Sequence, residues 1–82
     1  MRYVKNAQYV DDYKIIILFD NMKKKIVDLK NHLIGKVFEP LKDTAYFKRF
    51  RVDHDIDTIV WENGADLSPD FLYEIGQEVD KR

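Results

Sequence analysis

Ile59-Val60-Trp61-Glu62-Asn63-Gly64-Ala65-Asp66-Leu67-Ser68-Pro69-Asp70-Phe71-Leu72-Tyr73 holds the only Trp of the chain, a tight-turn signal and a complete helix start. From Thr58 to Trp61 every residue is β-branched or aromatic, the composition of a strand. Alternation puts Ile59 and Trp61 on one face and Val60 on the other. Asn63-Gly64 follows, and both residues tolerate the positive φ of a type I′ hairpin turn. Ala65-Asp66-Leu67 then reads as a short return strand. Ser68 is suited to cap a helix, because its hydroxyl can accept from a free N–H of the first turn. Pro69 at the first helical position has no N–H to leave unsatisfied. Asp70 places negative charge where the helix dipole favours it. Leu67 and Leu72 have the spacing of a hydrophobic staple. Trp61 belongs to a core on this reading; on an open face beside Tyr73 it would mark a partner site.

Working back towards the N-terminus, Tyr3 to Val10 carries strand character, with Val4 and Val10 on one face and Tyr3, Ala7 and Tyr9 on the other. Asp11-Asp12 is a turn. Tyr13 to Phe19 is the most apolar stretch. Ile15, Ile17 and Phe19 point one way, Ile16 and Leu18 the other, as in a central strand at least partly covered on both sides. Asp20-Asn21 turns the chain into a returning strand, Lys23 to Leu29. Three strands joined by short turns make an antiparallel meander. Asn31 to Ile34 reads as one helical turn ended by Gly35. Pro40 stops a helix from running through Val37 and Phe38. Asp43 or Thr44 can cap a second short helix over 43–49, with Tyr46, Phe47 and Phe50 as its apolar edge. Arg51-Val52 enters a strand, and Asp53 to Asp57 returns the chain to Thr58. After Gly76, which ends the last helix, Gln77 to Arg82 reads as a polar tail. The expectation is one α+β domain over 1–76: an antiparallel sheet of about five strands, the N-terminal three-stranded meander plus a C-terminal hairpin, with two short helices packed on it.

Composition narrows the function classes. The 82 residues suit a single domain with a small core. Hydrophobic content of 45% and aromatic content of 13% argue against disorder. With 14 basic and 15 acidic residues the net charge is −1, so no overall attraction to nucleic acid or anionic membrane is expected. The absence of cysteine removes disulfides, thiol catalysis and cysteine-based zinc sites. No apolar run has the length of a signal peptide or a membrane span, which points to the cytoplasm.

Several clusters invite a chemical reading. Asp53-His54-Asp55-Ile56-Asp57 begins like a calcium loop, but Thr58 falls where that loop needs Gly and Gly64 where it needs a bidentate Glu. The plain alternative is a solvated turn. His32 and His54 share no metal-binding spacing. His54 with Asp53 or Asp55 would make an acid–base pair if a cleft received it. Ser68, the only serine, lacks a nucleophile elbow and is accounted for by its capping role. Gly35, Gly64 and Gly76 are too scattered for a phosphate loop, so no cofactor is expected. Lys23-Lys24-Lys25, near Tyr3, Tyr9 and Tyr13, is a candidate nucleic-acid contact. The competing reading is a solvated sheet edge whose lysines block aggregation.

Trp61, Asn63-Gly64-Ala65-Asp66-Leu67, Pro69-Asp70 and Leu72-Tyr73 together resemble the signature of a small bacterial family catalogued as domain of unknown function number 2442. Phe38-Glu39-Pro40-Leu41, Phe47 and Phe19-Asp20-Asn21 fit the same pattern, so the resemblance covers roughly Val4 to Tyr73. A Pro often precedes the Asn-Gly pair in that family; here Glu62 stands there. The resemblance implies a compact α+β domain, sometimes fused to a helix-turn-helix domain and sometimes encoded beside a small partner protein. It implies no catalytic residues. The combined expectation is a non-catalytic interaction or regulatory module, antitoxin-like by resemblance. Its partner would be a small protein or a second copy, met through Trp61, Phe71, Tyr73 and the Lys23, Lys24, Lys25 edge. The alternatives are nucleic-acid binding by the lysine hairpin and a small enzyme using His54.

Overall fold

The structure is a computed structural model that describes residues 1–79. It is α+β. A four-stranded antiparallel sheet in the order β1-β2-β3-β6 is built from β1 (Val4–Asp11), β2 (Lys14–Phe19), β3 (Lys24–Asp28) and β6 (Gln77–Glu78). A separate two-stranded sheet pairs β4 (Arg51–Asp53) with β5 (Thr58–Val60). Between the sheets run a 3-10 helix, Lys36–Lys42, and the short helix α1, Thr44–Phe47; helix α2, Pro69–Ile75, precedes β6. The expected single sheet is thus two sheets sharing one core. Gln77 and Glu78, expected to begin a tail, pair with Ile26 and Lys25 as an edge strand. The rest of that tail, from position 80 onward, lies outside the described residues.

The core confirms the period of β2. Ile15, Ile17 and Phe19 are fully buried, whereas Ile16 and Leu18 are half-buried on the opposite face. β1 departs from simple alternation. Val4 pairs with Phe19 but Asn6 with Leu18, and Tyr9 pairs with Ile15 but Asp11 with Lys14, so Lys5 and Val10 are extra residues at two bulges. Each bulge shifts the side-chain phase by one. Val4, Ala7 and Tyr9 therefore share the core, and Val10, expected beside Val4, is exposed.

The capping chemistry falls where the sequence puts it. Asp43 accepts from Ala45 N–H at the start of α1, and Ser68 accepts from the N–H groups of Asp70 and Phe71 at the start of α2. Four local readings need correction. Leu29 to His32 is a turn closed by His32 N–H on the Leu29 carbonyl, and Gly35 precedes the 3-10 helix instead of ending a helix. Pro40 sits inside that 3-10 helix. In the second half, Trp61 carbonyl accepts from Gly64 N–H and Trp61 N–H donates to the Ala65 carbonyl. Only Gly64 of the loop has positive φ, at 86°. This is a three-residue connection with glycine in the left-handed position, not a type I′ turn. The return strand shrinks to one bridge between Asp66 and Val60.

Among the described residues, no helix is long and apolar enough to cross a membrane.

Candidate functional site

Three places hold the residues singled out from the sequence. The first is the aromatic centre. Trp61 is 1% exposed, its indole N–H donates to the Phe47 carbonyl at 2.7 Å, and its ring lies 5.7 Å from Phe47 and 6.2 Å from Phe50. Tyr9 and Tyr13 pack edge-on with Phe47 at 6.2 and 5.4 Å. A buried indole with a satisfied N–H is a packing anchor. Trp61 therefore offers no surface to a partner.

The second is the junction of α2 with the β2–β3 turn. Tyr73 packs edge-on against Phe19 at 5.0 Å and accepts from the Asn21 amide through its hydroxyl at 2.9 Å. Lys25 Nζ lies 3.7 Å from the centre of the Tyr73 ring and donates to the Tyr73 carbonyl at 2.8 Å; the Arg2 guanidinium stands 5.0 Å from the same ring. This is a double cation–π contact. Phe71 is half-buried, with the His32 ring edge-on at 5.3 Å. Lys23 Nζ meets Glu78 at 2.8 Å, and that carboxylate holds the ammonium pKa above its ordinary value. Of the three consecutive lysines, two are thus bound to α2 and β6. Lys24 pairs across from Leu18, which puts it on the face away from the core.

That outer face is the side of the sheet turned away from the core. Ile16 stands between Gln8 and Ile26, Gln77 continues the row, and Leu18 stands between Asn6 and Lys24. Ile16, Leu18 and Ile26 are half-buried and lie outside the hydrophobic core. The 3-10 helix, α1 and α2 insert Leu41, Phe47 and Leu72 into the core on the other side. A small apolar row in a polar frame is left facing outward.

The third place is a cleft of about 270 Å³ lined by Tyr3, Val4, Lys5, Asp20, His54 and Asp57. It forms where the start of β1 meets the end of β2 and the β4–β5 turn. Val4 N–H donates to the Asp57 carbonyl at 2.9 Å, tying the two sheets together here. Asp20 accepts from Tyr3 N–H at 2.9 Å and faces Arg2 at 3.8 Å. The Tyr3 hydrogen bond, opposed by desolvation and helped by Arg2, holds the Asp20 carboxyl below its ordinary pKa. Asp53, one of the two acids considered as a partner for His54, instead accepts from Asp55 N–H at 2.9 Å and faces Arg51 at 3.5 Å. The acids that join His54 around the cleft are Asp57 and Asp20. No sequence spacing signals this grouping, because Asp20 comes from a different sheet.

Sequence reasoning also missed Asn63. Its Nδ2 donates to the Val37 carbonyl at 2.8 Å, and its Oδ1 accepts from Ala65 N–H at 3.1 Å. In a 3-10 helix the Val37 carbonyl would bond the N–H three residues on. Residue 40 is proline and has no N–H, so Asn63 supplies the missing donor.

No match is found among curated proteins or among solved structures. The sequence profile of one family, described as Protein of unknown function (DUF2442), matches residues 4–78, and the chain belongs to that family.

Proposed function

We propose that this protein is a cytoplasmic, non-catalytic interaction module that receives a protein partner on the outer face of its four-stranded sheet. The observation that carries the reading is the row of Ile16, Leu18 and Ile26, turned away from the core and framed by Asn6, Gln8, Lys24 and Gln77. Contact surfaces characteristically combine an apolar centre with a polar rim. The non-catalytic reading is supported by side chains that already have structural work. The Ser68 hydroxyl caps α2, Asp53 holds the β4–β5 turn, and Lys25 is bound to Tyr73. The family pattern, with its gene neighbours, leans towards a regulatory or antitoxin-like subunit. Phe71 and Tyr73 then serve the junction that holds α2, and Lys24 is the lysine of the rim.

Tagged wild-type protein and an Ile26→Glu variant are compared in capture from source-cell lysate, with a salt wash and mass spectrometry. The expected result is a stoichiometric protein retained by wild type and lost by the variant, with unchanged circular dichroism. Equal retention by both would place the contact elsewhere. Nucleic acid that leaves in the salt wash would favour the lysine hairpin instead.

A further inference from the structure

Asn63-Gly64 carries a chemistry that its place in the fold holds in check. Asparagine is a chemically labile residue. The backbone nitrogen that follows it can attack the side-chain amide, and a Cβ on the next residue hinders that approach. Asn6 precedes Ala7, Asn21 precedes Met22 and Asn31 precedes His32; Asn63 alone precedes glycine, which has no Cβ. Both residues of the pair are exposed, so water reaches them. Three hydrogen bonds oppose the attack. Gly64 N–H, which must give up its proton before its nitrogen is a nucleophile, donates to the Trp61 carbonyl at 2.9 Å. The Asn63 side chain is held at both polar atoms, with Nδ2 donating to the Val37 carbonyl at 2.8 Å and Oδ1 accepting from Ala65 N–H at 3.1 Å. One partner is an acceptor and the other a donor, so the amide has a single orientation. Attack must break the Gly64 bond, and any turn of the side chain breaks the other two.

We propose that Asn63 is a spontaneous modification site gated by this loop: it deamidates when the loop opens, and the product does not close the loop as before. The Gly64 nitrogen loses its proton and forms a bond to Asn63 Cγ. The bond from Cγ to Nδ2 breaks, and the side-chain nitrogen leaves as ammonia. Water then opens the cyclic imide at either carbonyl, leaving aspartate or isoaspartate at position 63. Neither product has an amide donor for the Val37 carbonyl, and each adds a negative charge to the loop. Isoaspartate also lengthens the main chain between the Trp61 and Ala65 anchors. The Val37 carbonyl belongs to the 3-10 helix that inserts Leu41 into the core, so the damage reaches beyond the loop. A reversible opening is thereby made permanent. None of this depends on the outer face of the sheet.

The test incubates the full wild-type chain at mildly alkaline pH, once folded and once unfolded in urea, and locates each amide-to-acid conversion by peptide mass spectrometry. In urea, conversion at Asn63 should outpace that at Asn6, Asn21 and Asn31. In the folded protein it should be at least about tenfold slower than in urea, the protection expected of a loop held by a few hydrogen bonds. The converted fraction, and Asn63→Asp as a direct copy of one product, should unfold at lower urea concentration than fresh wild type. Conversion at Asn63 no faster than at the other asparagines in urea would overturn the inference. So would equal rates in the folded and unfolded chains, or a converted fraction whose unfolding midpoint matches that of fresh protein.

Discussion

Asn63 shows how one amide governs the closure of the second half. It completes the 3-10 helix that Pro40 interrupts and fixes the loop that leads to α2. Replacing Asn63 by Ala removes both bonds and leaves the Val37 carbonyl without its donor. Chemical denaturation should show a loss of about 1–2 kcal/mol, and Asn63→Asp, which has no amide donor, should not restore it. Asp20 makes a pH-dependent contribution. Its carboxyl pKa is lowered on folding, so it stabilises the fold above its unfolded pKa, about 4, and loses that contribution as pH falls below it. Asp20→Asn should therefore lower the melting temperature at neutral pH, with the difference from wild type closing in acid. Ser68 and Asp43 were legible as caps because their partners lie two or three residues away. Asn63 and Trp61 find theirs 26 and 14 residues away, and residue type alone does not specify such a partner.

At the scale of the element, helix α2 is held at both ends by different physics. Ser68 caps its start, and Ser68→Ala should cost about 1 kcal/mol in thermal or urea unfolding. Its end is set by contact. Gly76 has an ordinary extended backbone, with φ −72°, so left-handed conformation is not what requires glycine. A Cβ at this position would stand 3.0 Å from Lys25 Cβ and 3.0 Å from the Leu72 carbonyl oxygen. Gly76→Ala should push α2 away from β3, costing about 1–3 kcal/mol and accelerating amide exchange at Lys25 and Val79. The meander strands and α2 were legible because hydrophobic period and capping agree over each element. The bulges of β1 were not. Lys5 and Val10 differ in no obvious way from neighbouring strand residues, and only the pairing with β2 makes them extra. The brief β6 was hidden for a related reason: two polar residues acquire strand geometry from β3, not from their own propensity.

For the whole molecule, the organising fact is that two sheets and three helical segments fill one core on a single side of the larger sheet. The α+β class was legible because strand patterns and helix caps occupy separate stretches. The division into two sheets was not, because β1 meets the smaller sheet through a backbone contact, Val4 N–H to the Asp57 carbonyl, that leaves no pattern in side-chain type. The site was legible in part. Lys23, Lys24 and Lys25 were recognised as a group, but their division between an edge tied to α2 and an outward face depends on pairing. The one-sided core leaves Ile16, Leu18 and Ile26 facing outward, and the proposed function stands on them. Adjacent isoleucines supply an internal control, since Ile15 and Ile17 face the core and Ile16 the outside. The most direct measurement is the isoleucine δ1-methyl spectrum of the labelled protein with the captured partner added. Shifts or broadening at Ile16 and Ile26, with Ile15 and Ile17 unmoved, are the predicted result. Changes confined to the loop residues Ile34 and Ile56 would contradict the outer face as the contact surface.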